Sequence, residues 1–173
     1  GANPARVAKC RAFGAEVVLV DDMSLSFPTM EEIASQENRS IIHPFEGIRT
    51  MQGTATVGLE IAESVAALDA VIVAVGGGGL ISGVGTAIKA VQPSVRVIGV
   101  EPVGAAGMSQ SLELGRPLEK VSVDTIADSM GAPLHCPESF AVCQKVVDEI
   151  VLVDDDALCQ SMAVAFDGLK FTL

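Results

Sequence analysis

The chain has 173 residues, a formal net charge of −11, 49% hydrophobic residues and 3% aromatic residues. This acidic balance argues against nucleic acid and against an anionic membrane surface as partners. With neither Trp nor Tyr, the chain offers few rings that could stack on nucleic-acid bases. The apolar content is typical of a folded α/β protein and excludes disorder, and the length is sufficient for a domain of ordinary size.

Three other classes of protein lack support in the sequence. The cysteines, at positions 10, 136, 143 and 159, have no C-x-x-C spacing, so neither a zinc site nor a thioredoxin-like motif is indicated. No signal-peptide pattern opens the chain, and we therefore expect reduced thiols and a cytoplasmic location. The uncharged run over residues 70–88 is long enough to span a bilayer, but consecutive glycines in its middle argue against a transmembrane helix.

The first part of the chain is predicted to alternate helix and strand. The pair Asn3-Pro4 is typical of a helix start, and Gly14 is typical of a helix end. Strands are predicted over residues 15–20 and 40–42, with a short helix between them over residues 30–36. This alternation is typical of an open parallel sheet.

The elements that follow continue this pattern. A loop is predicted over residues 43–47 because it contains Pro and Gly. After Gln52-Gly53-Thr54, a helix is predicted whose apolar side consists of Val57, Leu59, Ile61, Ala62 and Val65. Strands are predicted over residues 71–75, 95–100 and 150–153, with helices between them.

A last helix is predicted after Asp154-Asp155-Asp156. These carboxylates favour the positive end of a helix dipole, which is a structural role that needs no metal. The spacing of apolar residues predicts a buried side made of Leu158, Met162, Phe166 and Leu169.

One stretch joins a strand, a glycine loop and a helix start. Residues 71–75 predict a strand buried on both faces, glycines occupy positions 76–79, and a helical apolar pattern begins at Leu80. Such a loop brings backbone N–H groups together without a Cβ in the way, at the positive end of a helix. It predicts an anion site, most often for phosphate, formed by Gly76, Gly77, Gly78, Gly79 and Leu80.

Other interpretations of this loop stay open from these residues alone. A tight turn without a ligand needs only one or two glycines. A dinucleotide-binding unit would agree with Glu101 at the end of the next strand, but every G-x-G-x-x-G frame meets Leu80, Ile81 or Ser82 at a required glycine. A P-loop is excluded because no Gly-Lys-Ser/Thr follows. A non-catalytic module that binds phosphate-bearing ligands remains an alternative.

Several segments together resemble one enzyme family. In chain order they are His43-Pro44-Phe45, Gln52-Gly53-Thr54, Val75 to Gly83, Val100-Glu101-Pro102, Thr125-Ile126-Ala127-Asp128 and Val151 to Asp155. They resemble segments of the fold type II, or tryptophan synthase β-like, pyridoxal-phosphate enzymes, in the threonine/serine dehydratase and serine racemase group. The resemblance covers nearly the whole chain.

This resemblance implies a fold, a cofactor and a reaction. The fold would be α/β, with a three-layer, open, mostly parallel sheet and helices on both faces. Gly76 to Leu80 would bind the phosphate of pyridoxal 5'-phosphate. The partner would be a small amino-acid substrate, Ser or Thr, which loses its α-proton and its β-hydroxyl to give a 2-oxo acid and ammonia. A serine racemase-like enzyme is the alternative, and Phe45 favours the dehydratase because the racemase branch has a polar residue there.

The family's lysine motif, Ser-x-Lys-x-Arg-Gly-Ala, is absent from the chain. Lys9 and Lys89 are predicted to be solvated surface residues, so no catalytic residue is assigned. We expect a central fragment, in which residues 1–42 are the remnant of the small domain and residues 43–173 are most of the large domain. Alone, this fragment is expected to be inactive. Its sheet is expected to expose apolar faces that favour self-association, and the parent is expected to be a homo-oligomer.

A metal site is also considered from the resemblance. In the racemase branch an acid equivalent to Glu101 binds a divalent cation, together with a carbonyl at the position of Ala105 and an Asp. The Asp position is Gly107 in this chain. With one carboxylate remaining, no metal ligand is assigned.

Overall fold

The computed structural model describes residues 2–171, with Met23 described by its backbone alone. The chain divides into two compact units, Gly1–Ile42 and His43–Leu173. Gly1, Thr172 and Leu173, which belong to the two predicted domain ranges, lie outside the described residues. The interpretation of the first unit as part of a small domain stays a prediction.

The first unit consists of two helices joined by extended chain. Helix α1 spans Pro4–Ala12, and the Asn3 side chain accepts a hydrogen bond from the Ala5 N–H at 2.9 Å. A short 3₁₀ turn at Met23–Leu25 leads directly into α2, Ser26–Gln36. Helix α2 therefore begins earlier than predicted, because the 3₁₀ turn already sets the helical direction of the chain.

The two strands predicted in the first unit are absent from the structure. Within the described part of this unit, residues 15–20 and 40–42 form no ladder with a neighbouring strand. Their apolar side chains are largely exposed, including Leu19 and Ile42. A strand exists only through hydrogen bonds to a partner, so apolar β-branched residues predict the tendency of a segment and not its pairing.

The second unit contains a parallel sheet of three strands in the order β1-β2-β3. The strands are β1, Ala70–Ala74, β2, Arg96–Pro102, and β3, Glu149–Val153. Both neighbouring pairs are parallel, with Val71 opposite Val97 and Gly99 opposite Ile150. The predicted α/β class with an open parallel sheet is therefore confirmed.

The described part of the second unit also contains five α-helices. They are α3, Ile48–Ser64, α4, Gly79–Val91, α5, Gly107–Leu114, α6, Pro137–Val146, and α7, Asp155–Val164. Helix α7 continues into a π-helical turn at Ala165–Leu169. In the part of the chain that the structure describes, no helix combines the length and the apolar character that crossing a membrane requires.

The core lies between one face of the sheet and helix α4. Val73 of β1 and Val97 of β2 are buried on this face, where they join Ile81 and Ile88 of α4 in one apolar cluster. Ile72 points to the opposite face, because successive side chains of a strand alternate, and it is 70% exposed.

Helices α3 and α4 cross in close contact through glycines. A Cβ at Gly58 of α3 would lie 2.6 Å from the Val84 carbonyl oxygen, and a Cβ at Gly83 of α4 would overlap the Thr54 hydroxyl. The buried residues of α3 are accordingly Met51, Gly58 and Ala62. The predicted apolar side was wrong for Val57, Leu59 and Val65, which are exposed, because small residues make the contact instead.

The predicted buried side of α7 was also wrong. Met162, Phe166 and Leu169 are exposed, and Leu158 is half-buried. The carboxylate of Asp155, in the first turn, accepts hydrogen bonds from another segment, while the later turns meet little of the described chain. The predicted N-terminal cap is confirmed, since the Asp154 carboxylate accepts the Ala157 N–H at 2.7 Å.

Candidate functional site

The glycine loop connects the end of β1 to the start of α4. Gly78 is the residue that caps the helix, and its φ of +91° lies in the left-handed region that favours glycine. Gly79 is the first residue of the helix. The predicted order of strand, glycine loop and helix start is thus present, at the carboxyl end of the strand.

The backbone N–H groups of this loop have no acceptor among the described residues. Among the hydrogen bonds between described residues, none begins at an N–H of residues 76–81. The neighbours on both sides are bonded, since the Val75 N–H donates to the Val100 carbonyl at 2.9 Å and the Ser82 N–H donates to the Gly78 carbonyl at 3.0 Å. Gly77, Gly78 and Gly79 are buried. A buried N–H without an acceptor costs about 1–3 kcal/mol, so an external acceptor would stabilise this loop.

Each glycine of the loop also has a steric reason to be glycine. A Cβ at Gly77 would overlap the ring of Phe45, and a Cβ at Gly79 would lie 2.6 Å from the Phe45 carbonyl oxygen. A Cβ at Gly76 would lie 2.9 Å from the Met130 carbonyl oxygen. The sequence analysis expected one or two glycines to suffice for a turn. The close packing of the loop against Phe45 and Met130 accounts for the additional ones.

The carbonyl groups of Gly78 and Gly79, unlike the N–H groups of the loop, have partners. The Thr54 hydroxyl donates to the Gly79 carbonyl at 2.9 Å. The Gly78 carbonyl accepts from Ser82 and lies 3.8 Å from the Cys143 sulfur. Burial raises the pKa of the Cys143 thiol to about 11, so this group is a neutral thiol at physiological pH. The loop is therefore held from its carbonyl side.

Two neighbouring helices receive a carboxylate at their N-termini. The buried Glu101 carboxylate accepts the N–H groups of Met108 and Ser109, at 2.8 and 2.9 Å, at the start of α5. Burial raises the pKa of Glu101, and these two hydrogen bonds oppose that rise. The Glu46 carboxylate accepts the Glu138 and Ser139 N–H groups at the start of α6. Sequence reasoning considered Glu101 as an acid of a dinucleotide-binding unit and as a possible metal ligand, and it missed the helix-capping roles of both Glu101 and Glu46.

The two histidines have different surroundings. The Nδ1 atom of His43 accepts the N–H of Glu46 at 3.0 Å and shapes the loop over residues 43–47. His135 is 5% exposed, and neither of its ring nitrogens has a hydrogen-bond partner among the described residues. Burial lowers the pKa of His135 to about 4, so its ring is neutral at physiological pH. In the described part of the chain, no cluster of three His, Cys, Asp or Glu side chains suits a metal ion.

One lysine, Lys89, lies on the helix that follows the glycine loop. Lys89 is in the last turn of α4, about 15 Å along the helix axis from Gly79. Its ammonium group pairs with the Asp148 carboxylate at 2.7 Å, in an exposed ion pair at the surface. The others are exposed: Lys9, Lys120, Lys145 and Lys170.

The segment Thr125-Ile126-Ala127-Asp128 is fixed by α7. The Asp155 carboxylate accepts the Thr125 hydroxyl at 2.6 Å and the Ile126 N–H at 3.0 Å. Ser129, which follows this segment, is exposed and bonds only locally to Asp128 among the described residues. The contacts of these residues are structural.

Comparison with known proteins identifies the chain's family. A family model described as pyridoxal-phosphate dependent enzyme matches residues 1–168. The chain is 50% identical over 169 residues to phenylserine dehydratase of Ralstonia pickettii. This match covers 98% of this chain and 52% of that protein.

Solved structures agree with this match. Maize serine racemase is 32% identical with a TM-score of 0.88, and the match covers 96% of this chain and 52% of that one. The processed form of threonine deaminase isoform 2 from Solanum lycopersicum is 34% identical with a TM-score of 0.90, and the match covers 99% and 50%.

The chain belongs to the pyridoxal-phosphate-dependent enzyme family, with the fold type II architecture. Its relatives in that family are dehydratases, deaminases and racemases of amino acids. The chain spans about half the length of the curated relatives it matches. The resemblance stated from the sequence motifs and the predicted cofactor of the family are thus confirmed.

Proposed function

We propose that Gly76, Gly77, Gly78, Gly79 and Leu80 bind the phosphate group of pyridoxal 5'-phosphate. The observation that carries this proposal is the run of N–H groups over residues 76–81 without an acceptor in the described chain, most of them buried. A phosphate offers several strong acceptor oxygens and negative charge, which suits these donors and the positive end of α4. When bound, the cofactor supplies an electron sink for reactions at the α-carbon of an amino acid.

The reaction that we infer for the whole protein is dehydration of a 3-hydroxy amino acid. The substrate would lose its α-proton and its β-hydroxyl, and the product would become a 2-oxo acid with release of ammonia. Similarity to phenylserine dehydratase and to threonine deaminase supports this class of reaction. Within the class, 50% identity to phenylserine dehydratase favours a substrate with an aromatic β-substituent alongside Ser and Thr.

Racemisation of serine is the second candidate, because similarity to serine racemases supports it. The two reactions differ in their product. A dehydratase converts the substrate into a 2-oxo acid, whereas a racemase leaves the amino acid intact and inverts its α-carbon. Chiral chromatography combined with a 2-oxo acid assay on the whole protein separates them.

The 173-residue chain itself should bind phosphate without turning over substrate. We propose this because the lysines that the structure describes lie on exposed surface or, for Lys89, in an ion pair at the far end of α4. Family chemistry needs an amine nucleophile at the cofactor. Accumulation of 2-oxo acid from Ser, Thr or phenylserine by the purified chain would contradict this inference.

The domain interpretation and the oligomeric state also remain proposals. We propose that residues 1–42 are part of a small domain and residues 43–173 part of a large one. The exposed sheet face around Ile72 favours self-association of this chain. A monodisperse monomer in light scattering would contradict that expectation.

The phosphate site is tested by amide NMR of the ¹⁵N-labelled chain. Inorganic phosphate, and separately pyridoxal 5'-phosphate, should shift the amide resonances of residues 76–80. The Gly14 and Gly115 amides, which also belong to residues with positive φ, should stay unchanged and serve as internal controls. Shifts scattered over the surface, with none in the loop, would overturn the proposal.

A further inference from the structure

We propose that Thr54 is a positioning residue for the glycine loop. Its hydroxyl holds the Gly79 carbonyl and thereby orients the Leu80 N–H toward the anion. This inference rests on the proposed phosphate site and adds to it a residue on a different helix, α3. Sequence reasoning placed Gln52-Gly53-Thr54 ahead of the helix, whereas Thr54 lies inside α3.

Of three carbonyl oxygens near the Thr54 hydroxyl, the one in the loop is the nearest. Its Oγ1 lies 2.9 Å from the Gly79 carbonyl oxygen, and 3.2 Å from the carbonyl oxygens of Thr50 and Met51 in its own helix. A threonine hydroxyl has one hydrogen to donate, and the shortest of the three distances is the one to the loop. The bond therefore links α3 to the first residue of α4.

Peptide geometry converts this bond into an orientation of an N–H group. In a planar trans peptide, the carbonyl of one residue and the N–H of the next point in opposite directions. Holding the Gly79 carbonyl toward α3 thus directs the Leu80 N–H away from α3. That N–H has no acceptor among the described residues, so it can donate a hydrogen bond to a ligand.

The crossing of α3 and α4 makes this contact possible. A Cβ at Gly83 would overlap the Thr54 hydroxyl, and a Cβ at Gly58 would lie 2.6 Å from the Val84 carbonyl oxygen. Without a side chain at these positions the two helices approach closely enough for a short hydroxyl to reach the neighbouring backbone. The same crossing partly buries the bond and reduces competition from water.

The preceding peptide of the loop is held in the same way. The Gly78 carbonyl accepts the Ser82 N–H at 3.0 Å and lies 3.8 Å from the Cys143 sulfur of α6. The Ser82 hydroxyl in turn donates to the Ser139 carbonyl at 3.2 Å. Two consecutive carbonyls are therefore fixed on the protein side before any anion binds. Such preorganisation avoids an ordering cost at the moment of binding.

The test compares three variants in the full chain. Thr54→Val removes the hydroxyl with little change in shape, and Thr54→Ser keeps the hydroxyl. Thr56→Val is the matched control, because Thr56 lies on the same helix and its hydroxyl donates to the Gly53 carbonyl at 2.7 Å, in an exposed position. Affinity for inorganic phosphate is measured from amide shifts of residues 76–80, and stability from urea unfolding.

We expect Thr54→Val to weaken phosphate binding by about fivefold, the size of one modest hydrogen bond. It should also move the Leu80 amide resonance in the phosphate-free chain, a change that a loss of global stability alone would not produce. Thr54→Ser and Thr56→Val should bind phosphate as the original chain does.

Equal phosphate affinity in Thr54→Val and the original chain would overturn the role of Thr54. The same holds for an equal loss in Thr56→Val, or for a Leu80 resonance that does not move. If the original chain itself shows no phosphate-dependent shifts in the loop, the phosphate site fails and the role of Thr54 fails with it. The original chain thus tests the site, and the variants test the residue.

Discussion

The N-termini of α4 and α5 follow adjacent parallel strands, yet they differ in their hydrogen bonds. Only at α5 does a side chain of the described residues accept backbone N–H groups. At α5 the Glu101 carboxylate, 0% exposed, accepts two backbone N–H groups. At α4 the N–H groups over residues 76–81 have no acceptor among the described residues. Both ends carry buried donors and the positive end of a helix dipole.

This difference separates a structural helix end from one that suits a ligand. Glu101 supplies from within the chain the negative charge and the acceptor oxygens that a phosphate would supply from outside. The loop over residues 76–81 presents backbone donors for which the described residues provide no acceptor. Helix α6 resembles α5, because the Glu46 carboxylate accepts backbone N–H groups at its N-terminus.

The largest effect is expected from removing the carboxylate at the N-terminus of α5. Glu101→Ala removes a buried carboxylate and leaves the Met108 and Ser109 N–H groups without their acceptor. We expect the free energy of unfolding to fall by about 3–4 kcal/mol, measured by urea denaturation. Glu113→Ala, in an exposed position of the same helix, is the control and should change it by less than about 0.5 kcal/mol. Similar losses in both variants would remove the distinction between the two helix ends.

The pH dependence of stability tests the packing of His135 at the N-terminus of α5. His135 packs against Gly107, the first residue of α5, since a Cβ at Gly107 would overlap its Nε2 atom. Burial lowers the pKa of His135 to about 4, below the ordinary value of 6.5. The unfolded chain therefore binds this proton at a higher pH than the folded chain, and stability falls as pH decreases from about 6.5 to about 4.

We expect this single group to remove roughly 3 kcal/mol of stability over that interval. His135→Leu should flatten the decline, as measured by urea unfolding at pH 7, 5.5 and 4. The raised pKa of Glu101 works in the opposite direction, because its contribution is lost as pH rises. The difference between the variant and the original chain isolates the histidine. Parallel curves for the two proteins would show that His135 is not titrating in this way.

A pair of glycine substitutions tests the α4 end. Gly78 and Gly115 both have positive φ, at +91° and +68°. A Cβ at Gly115 would meet open space, whereas a Cβ at Gly78 would lie 2.6 Å from the Met108 side chain. Alanine should therefore cost about 2 kcal/mol at Gly78 and about 1 kcal/mol at Gly115.

Only Gly78→Ala should also weaken phosphate binding, by about tenfold, because it changes the direction of the loop N–H groups. Isothermal calorimetry with pyridoxal 5'-phosphate measures this effect. Equal affinities of the two variants would mean that the loop geometry at Gly78 does not matter for the anion.

The last prediction concerns stabilisation of the folded chain by phosphate itself. At a concentration ten times its dissociation constant, phosphate bound only to the folded chain adds about 1.4 kcal/mol. Thermal unfolding in phosphate, against chloride at equal ionic strength, should show a higher midpoint. Glu113→Ala should keep this increment, since the Glu113 side chain is exposed on α5. No increment in the original chain would place the unpartnered N–H groups outside any anion site.

Local patterns predicted much of the second unit and its loop. The strand, glycine and helix order around Gly76 to Leu80 follows from apolar periodicity and from the inability of a glycine run to join a regular element. Asn3 and Asp154 were predicted as caps because each bonds to a backbone N–H two or three residues ahead. These features depend on contacts between near neighbours in the chain, which a short window of sequence contains.

Tertiary structure alone decided which polar groups meet. Glu46 bonds to the start of α6 across 92 residues, and Thr54 bonds to Gly79 across 25 residues. The exposure of α7 and the unpaired state of residues 15–20 depend equally on what other segments lie nearby. The sequence by itself determined the strand, glycine loop and helix start around Gly76 to Leu80, because these depend on periodicity and short-range hydrogen bonds. Tertiary packing determined which helix N-termini receive an acceptor from the chain, because it brings the Glu46 and Glu101 carboxylates to N–H groups that are distant in sequence or in another element.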